Sequence, residues 1–225
     1  MKKNFNVLII EDHRIIAQAY KLVLEEITVE NSILNFTIET ANNCESGREK
    51  INSFCQSNKL DLVLLDISLS PTDDKKILSG VDLGILLRNK KTPVKIIILT
   101  SYDDYYRLNS IIKNVDPDGL LLKRDVEMED IKKAILTVLD NGSFYSETII
   151  KMLRIRAKSE INIDKIDRQI LYELSRGVKM KDLPELLPLS MGGIESRKRK
   201  LKRAFNILKE KDNVLIEIAR EKGFI

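Results

Sequence analysis

The chain has little of what metal clusters, disulfides and membranes require. Its 225 residues include two cysteines, Cys44 and Cys55, and one histidine, His13. Neither cysteine has partner histidines at metal-ligand spacing, so we expect two reduced thiols. No apolar run approaches the length of a membrane span, and the first residues do not have the pattern of a signal peptide. These absences predict a cytoplasmic protein that does not contact a membrane.

Two nucleotide-binding motifs are also missing. The sequence contains neither the phosphate-binding G-x-x-x-x-G-K nor the dinucleotide-binding G-x-G-x-x-G, which disfavours an ATPase or a dehydrogenase. Without an ATP-binding module, His13 is not expected to act as the phosphorylated histidine of a kinase. No internal repeat and no low-complexity segment interrupts the chain.

Charge is distributed unevenly along the sequence. Residues 1–145 carry 19 lysines and arginines against 22 acidic residues, a net charge of −3, whereas residues 146–225 carry 19 against 12, a net of +7. An acidic first part and a basic second part indicate two modules with different partners. The basic module points to a polyanion as its partner.

Four short apolar runs in the acidic part each lead into a polar residue. The runs and the residues that follow them are Val7–Ile10 with Glu11 and Asp12, Leu62–Leu65 with Asp66, Ile96–Leu99 with Thr100, and Leu120–Leu122 with Lys123. Runs of this length are typical of buried strands in a parallel sheet, and ligands of such sheets bind beyond the carboxyl ends of the strands. We therefore expect three carboxylates, a hydroxyl and an ammonium group to converge on one edge. Three acids favour a hard divalent cation, and the lysine favours a phosphoryl group.

The pattern of strands and helices divides the chain into three parts. In residues 1–142, five strand patterns alternate with five helix patterns, which predicts an α/β fold with a doubly wound, five-stranded parallel sheet. The strand pattern ends at Gly142. Residues 143–162 are expected to form a partly helical linker, and residues 163–225 an all-α domain.

Residues 4–141 resemble the receiver domain of two-component response regulators, which has the flavodoxin-like fold. The resemblance implies that Asp66 is the phosphoacceptor and that Thr100 and Lys123 contact the phosphoryl group. It also implies a Mg²⁺ site, and this site would be formed by Glu11, Asp12, Asp66 and the backbone carbonyl of Ser68.

Two positions depart from the receiver pattern. Leu120 stands where the family usually has an aromatic residue, three positions before the lysine. After Asp66, the proline and glycine that the family places at the fourth and about the eighth positions are Pro71 and Gly80, at the fifth and fourteenth. The longer loop could contact a kinase or change the lifetime of the phosphate, but a tolerated surface insertion is the simpler interpretation.

In the basic part, Gly177, Leu183, Leu187, Leu189 and Ser190 follow one another without gaps at the spacing of a helix-turn-helix, and Ile194 follows at the usual apolar position. On these residues the segment Ile163–Ile207 resembles the LuxR-type helix-turn-helix of NarL/FixJ-class regulators. Pro184 falls in the first helix of the motif, so we expect that helix to start late and to be short. Ser190 is expected to cap the second, recognition helix. The resemblance implies that this helix binds DNA, and the expected contact residues are Ser190, Arg197, Lys198, Arg199, Lys200, Lys202 and Arg203.

Together the two resemblances imply a regulator of transcription rather than an enzyme. A sensor histidine kinase would phosphorylate Asp66, and the protein would bind double-stranded DNA as a homodimer, with dimerisation following phosphorylation. A receiver with a protein- or RNA-binding output module stays open as an alternative. A haloacid-dehalogenase-type phosphatase is disfavoured, because that class has a second aspartate two residues after the nucleophile, where this chain has Ser68.

Overall fold

A computed structural model describes residues 2–57, 60–90, 93–157, 163–222 and 224–225. These residues form two compact units. The first comprises Met1–Asp103 and Ser110–Ile149, and the second comprises Asp104–Asn109 and Ile150–Ile225. The predicted linker 143–162 falls in part, at residues 158–162, outside the described residues. Within the described ranges, no helix is long and apolar enough to cross a membrane.

The first unit contains a parallel sheet with the strand order β2-β1-β3-β4-β5-β6. Its strands are β1 (Lys3–Ile10), β2 (Leu34–Ala41), β3 (Leu62–Asp66), β4 (Lys95–Thr100), β5 (Gly119–Leu122) and β6 (Phe144–Tyr145). The order of the first five strands is that of a flavodoxin-like doubly wound sheet, which confirms the predicted fold class. The count of five strands needs a correction, because Phe144 and Tyr145 pair in parallel with β5 at the edge of the sheet. Two residues are too short a run to be recognised by apolar periodicity.

Helices cover both faces of this sheet. They are α1 (Arg14–Glu30), α2 (Cys44–Ser57), α3 (Gly80–Asn89), α4 (Tyr105–Val115) and α5 (Met128–Leu139). Buried residues of α1 and α5, such as Leu24 and Ile135, join strand residues in one core cluster. On the other face, α2 contacts α3, and Gly47 of α2 lies against Ile10 of β1. The apolar interiors of the central strands β3, β4 and β5 are therefore enclosed, whereas the edge strand β2 also carries polar side chains such as Thr37 and Glu39.

The cysteine prediction holds for the residue that the structure describes. Cys44 is a buried free thiol at the start of α2. Burial, together with the nearby carboxylates of Asp82 and Glu45, raises the pKa of this thiol to about 11, so it stays protonated and unreactive at neutral pH. The side chain of Cys55 lies outside the described part of the chain.

The second unit is helical, as expected. After α6 (Glu147–Ala157) it contains α7 (Lys165–Ser175), a 3₁₀ turn (Met180–Asp182), α8 (Leu183–Leu186), α9 (Met191–Ala204) and α10 (Asp212–Glu221). Two apolar clusters hold it together. One joins Leu171, Leu201, Leu215 and Phe224, and the other joins Ile170, Leu183 and Ile194. Helix α8 has four residues with Pro184 in its first turn, which confirms the prediction of a short, late helix.

Candidate phosphoryl site and basic helix

Sheet register brings the polar strand ends together. Ile10 of β1 pairs with Leu65 of β3. The residues that come next in the two strands, Glu11 and Asp66, therefore lie side by side at the edge of the sheet. Asp66 pairs with Leu99, and Thr100 pairs with Leu122, so Thr100 and Lys123 continue the same edge toward β5. The backbone N–H of Lys123 donates to the carbonyl oxygen of Thr100 at 2.9 Å. The convergence expected from the sequence is thus present in the structure.

Lys123 bridges two buried carboxylates at this edge. Its Nζ lies 2.7 Å from Oδ2 of Asp66 and 2.8 Å from Oε2 of Glu11. The side chain of Glu11 is fully buried and that of Asp66 is 2% exposed. Two buried carboxylates so close together repel each other, and the shared ammonium group offsets that repulsion.

Burial and charge shift the pKa values within this group. Burial and the nearby Asp66 carboxylate raise the pKa of Glu11, although the hydrogen bond from Lys123 acts in the opposite direction. Burial lowers the pKa of Lys123, but its hydrogen bonds to Asp66 and Glu11 outweigh this effect and raise it. Lys123 is therefore a fixed cation at this edge of the sheet at neutral pH.

Three carboxylates and an imidazole gather beside the lysine. One ligand atom from each of Glu11, Asp12, His13 and Asp66 lies within 4.8 Å of all the others. Glu11 and Asp66 direct one oxygen each to Lys123. The second oxygen of each accepts a backbone N–H, from His13 and from Ser68, and keeps a further lone pair for a cation. Asp12 is exposed, and Ser68 lies beside the cluster, where its backbone N–H donates to Oδ1 of Asp66 at 3.1 Å. This oxygen-rich donor set fits a hard divalent cation.

Thr100 is completely buried at the end of β4. Its Oγ1 accepts a hydrogen bond of 3.0 Å from the backbone N–H of Tyr102. The hydroxyl oxygen is therefore held within its own loop as an acceptor, and this bond does not use the O–H as a donor.

Gly80 is a residue of the site that sequence reasoning noted only as a displaced glycine. Its N–H donates to the carbonyl oxygen of Ile67 at 3.1 Å. A Cβ atom at this position would lie 1.9 Å from the carbonyl oxygen of Asp66 and 2.8 Å from Cα of Ile67. The start of α3 thus packs directly on the backbone of Asp66, and only glycine permits that approach.

The longer loop before Gly80 folds into a closed turn. The backbone of Thr72 bonds that of Ile77 at 2.9 Å, and the buried Oγ1 of Thr72 donates to Asp74 at 2.6 Å. Asp74 also pairs with Arg48 of α2 at 2.9 Å. The hydrogen bonds from Thr72 and Arg48 hold the pKa of Asp74 well below its ordinary value. The insertion is thus an exposed surface loop that is tied to α2 by this ion pair and anchored by the buried residues Thr72 and Ile77.

In the second unit, α9 carries the basic run. Ser190 caps it, because its side-chain oxygen accepts a hydrogen bond from the N–H of Gly193 at 3.3 Å. The predicted capping role of Ser190 is therefore confirmed. The buried face of α9 contains Ile194 and Leu201, which lie in the two apolar clusters of this unit.

Three of the six basic residues of α9 are bound within the unit. Arg197 pairs with Asp164 at 2.6 Å and with Asp167 at 2.8 Å, and Asp167 is 1% exposed. Lys198 and Lys202 both pair with Asp212 of α10, at 2.9 and 2.8 Å. These ion pairs hold α9 against the helices on either side of it.

The other three basic residues point to solvent. Arg199, Lys200 and Arg203 are exposed, and among the described residues none of them has an ion pair. With a helical period of 3.6 residues, they share one face of α9 with the exposed residues Gly192 and Glu195. The sequence identified the helix but not this division of its charges.

Comparisons with known proteins agree with the sheet-edge geometry. The family model of the response regulator receiver domain matches residues 7–136, which is more than half of the chain. This protein is a response regulator. The expectation of a receiver domain in its first part is therefore confirmed.

Among relatives of this response regulator, the transcriptional regulatory protein MctR of Rhizobium johnstonii is 26% identical over 92% of this chain and 89% of its own length. The nitrate/nitrite response regulator protein NarP of Escherichia coli is 26% identical over 90% of this chain and 89% of its own. The structure of RcsB from Salmonella enterica serovar Typhimurium, bound to a promoter with a phosphomimetic, superimposes with a TM-score of 0.64 at 20% identity. That match covers 98% of this chain and 99% of the other. The fold thus extends to both parts of the chain.

Proposed function

We propose that this response regulator is phosphorylated on Asp66 and binds DNA as a regulator of transcription. The observation that carries the proposal is the position of Lys123, whose ammonium group lies between Asp66 and Glu11 at the carboxyl edge of the sheet. The phosphoryl donor is a sensor histidine kinase, as is expected for a member of this family.

The chemical step is one phosphoryl transfer. A carboxylate oxygen of Asp66 attacks phosphorus, an O–P bond forms, and the bond from phosphorus to the donor breaks with its electron pair leaving on the donor. Lys123 is placed to stabilise the charge on the phosphoryl oxygens, and the O–H of Thr100 donates to one of them. The product is an acyl phosphate that stores a signal, so Asp66 is a receiver group rather than the nucleophile of a turnover enzyme.

A divalent cation completes the site. Glu11, Asp12, Asp66 and the backbone carbonyl of Ser68 are the residues that would hold Mg²⁺, and the cluster of carboxylates supports this assignment. When bound, the cation supplies positive charge to the transferring oxygens. Because Lys123 keeps one oxygen of Glu11 and one of Asp66, the protein leaves separate oxygens for the two kinds of cation.

The phosphorylation proposal is tested with a small-molecule phosphodonor. The full chain is incubated with the donor and Mg²⁺, and intact mass is measured. We expect the wild type to gain one phosphoryl group and Asp66→Asn to gain none, while the control Asp73→Asn, in an exposed part of the loop, behaves as the wild type. A phosphoryl group that remains in Asp66→Asn would place the phosphoacceptor elsewhere.

The exposed face of α9 is the proposed DNA contact. Arg199, Lys200 and Arg203 supply positive charge that the unit itself does not neutralise, and Gly192 has nothing within 4 Å of an added Cβ, so the backbone there is open to a phosphate. The matched RcsB structure is of a promoter complex, which supports DNA as the partner of this unit. We propose that homodimers bind paired half-sites.

DNA binding is tested by the dependence of affinity on salt. With fragments selected from the source genome, we expect the logarithm of affinity to fall steeply with the logarithm of salt concentration. Arg199→Ala with Arg203→Ala should reduce that slope by about two and weaken binding, whereas Arg220→Ala, exposed on α10, should leave both unchanged. If no fragment is enriched, the output module binds protein or RNA instead.

We further propose the receiver within residues 1–142, the linker at 143–162 and the helix-turn-helix domain within 163–225. The start of α7 at Lys165 supports the second boundary, while β6 belongs to the sheet and the first compact unit runs to Ile149, so the receiver extends a few residues beyond 142. Limited proteolysis is expected to cut first between residues 146 and 163.

A further inference from the structure

Ser146 joins the lysine end of β5 to the start of α6. The residue is 4% exposed, and it directly follows β6 and directly precedes α6. Its Oγ accepts a hydrogen bond of 3.3 Å from the backbone N–H of Leu122, the residue before Lys123. Its own N–H donates to the carbonyl oxygen of Leu120 at 3.1 Å. One buried serine is therefore bonded to β5 through both its backbone and its side chain.

The hydroxyl takes the place of a backbone acceptor. Strand β6 runs parallel to β5, with Leu120 opposite Tyr145. Because bonds recur regularly along a parallel pair, the next acceptor for the N–H of Leu122 would be the carbonyl oxygen of Ser146. The chain turns into α6 at Glu147, and the side-chain oxygen accepts instead. This bond between β5 and its edge neighbour therefore depends on the residue type at position 146.

The bond lies next to Lys123 along the backbone. The N–H of Lys123 donates to the carbonyl oxygen of Thr100 at 2.9 Å, and its Nζ pairs with Asp66 and Glu11. The side chain that senses the charge at Asp66 and the N–H that holds Ser146 thus belong to adjoining residues. A change in the partners of Lys123 acts on the same short stretch of backbone.

Helix α6 leads away from this point. It extends over Glu147–Ala157, and the division between the two compact units falls inside it, after Ile149. A single continuous helix therefore starts at Ser146 in the first unit and ends in the second.

We propose that the hydrogen bond from Leu122 to Ser146 couples the phosphoryl site to α6. Phosphorylation of Asp66 replaces one carboxylate partner of Lys123 with a phosphoryl oxygen, and the backbone of Leu122 shifts with the lysine. The bond to Ser146 then breaks, and the start of α6 is released from the sheet. This inference rests on the proposed function and names the contact through which its signal leaves the site.

Hydrogen–deuterium exchange of residues 119–123 and 143–157 tests the inference on the full chain. The protein is measured in Mg²⁺ alone and after treatment with a small phosphodonor, and intact mass is recorded on the same samples. In the wild type we expect phosphorylation to speed exchange of the slowest amides about fivefold to tenfold, as for the loss of one buried hydrogen bond. Ser146→Ala should exchange at the faster rate in both states.

Two further variants control this measurement. Ser146→Thr keeps the hydroxyl, so it should respond to phosphorylation as the wild type does. Ser143→Ala removes an exposed hydroxyl just before β6 and should also respond as the wild type. Intact mass should show the same phosphoryl gain in all four proteins.

Two results would overturn the inference. One is a Ser146→Ala protein that keeps the full increase on phosphorylation, which would mean that the serine only stabilises the end of the sheet. The other is a wild type that gains the phosphoryl group without a change of exchange in either segment. A failure of the proposed function is seen separately, as the absence of a phosphoryl gain on the wild type, and the inference would fall with it.

Discussion

The edge of the sheet and helix α9 each contain a cation that bridges two acids, but the two arrangements serve different ends. Lys123 bridges Glu11 and Asp66 at the carboxyl edge of the sheet, beside the carboxylate cluster. Arg197 bridges Asp164 and Asp167 and fixes α9 on α7. At the sheet edge Glu11, Asp66 and Lys123 contact one another because parallel strands end together, whereas the hydroxyl of Thr100 bonds within its own loop. On α9 the predicted residues divide, because a helix presents side chains in all directions.

The largest difference in stability between the two regions is expected when one glycine in each is replaced by alanine. Gly80→Ala would force a Cβ atom into the backbone of Asp66, and we expect the free energy of unfolding to fall by about 3 kcal/mol or more. Gly192→Ala on the open face of α9 should instead raise it by up to about 1 kcal/mol, because alanine favours helix. Urea denaturation of both variants measures the contrast. Equal effects would show that α3 does not pack closely on Asp66.

Lys123→Met tests the cation at the sheet edge. It removes the charge that would stabilise the phosphoryl oxygens and leaves Glu11 beside Asp66 without an ammonium group. We expect the rate of phosphorylation by a small donor to fall about 100-fold. Lys133→Met, an exposed change on α5, is the control and should phosphorylate at the wild-type rate. An unchanged rate in Lys123→Met would exclude Lys123 from the chemical step.

Arg197 and Arg199 should separate stability from DNA binding. Arg197→Gln leaves the buried carboxylate of Asp167 without its ion pair, and we expect a loss of about 1–2 kcal/mol, since Arg197 and Asp164 are partly exposed. Arg199→Gln should change stability by less than about 0.5 kcal/mol but weaken DNA binding. Chemical denaturation and DNA titration are run on both variants. The reverse pattern would make Arg197 a DNA contact.

The smallest effect is expected from Asp212, whose contribution to stability should depend on pH. Burial raises the pKa of Asp212, but its bonds to Lys202 and Lys198 outweigh this and lower the pKa from its ordinary value of 3.8. The stabilisation is therefore present above that value and is lost as pH falls through the lower folded-state pKa. Asp212→Asn should be less stable than the wild type at neutral pH, and the difference should shrink as pH falls below the ordinary value of 3.8. A difference independent of pH would show that the charge of Asp212 is not what stabilises the unit.

Much of the first unit could be predicted from the sequence, because the apolar pattern of each strand also determines which residues lie at the carboxyl edge of the sheet. Apolar runs predicted the strands, and the fixed direction of parallel strands placed Glu11, Asp66 and Lys123 together. The same reasoning missed β6, whose two residues carry no period, and the close packing of Gly80 on Asp66, which depends on how the inserted loop closes. That loop is held by Arg48, far away in sequence, and no local pattern predicts such a contact.

Less could be predicted of which basic side chains of α9 reach solvent, because this depends on contacts with residues distant in sequence. The helix itself, its cap at Ser190 and its buried residue Ile194 follow from local pattern. Which basic side chain reaches solvent depends on where Asp164, Asp167 and Asp212 lie around it, and that is a property of the packed unit. Composition predicts a basic helix but not which of its charges remain available.

The most direct test of the account is whether phosphorylation of Asp66 changes DNA binding by the same molecule. Affinity for a genomic fragment that the protein selects is measured before and after treatment with phosphodonor and Mg²⁺, for the wild type and for Asp66→Asn. We predict that treatment changes the affinity of the wild type and leaves that of Asp66→Asn as it was. An affinity that does not respond in the wild type, or that responds equally in both proteins, would contradict the account.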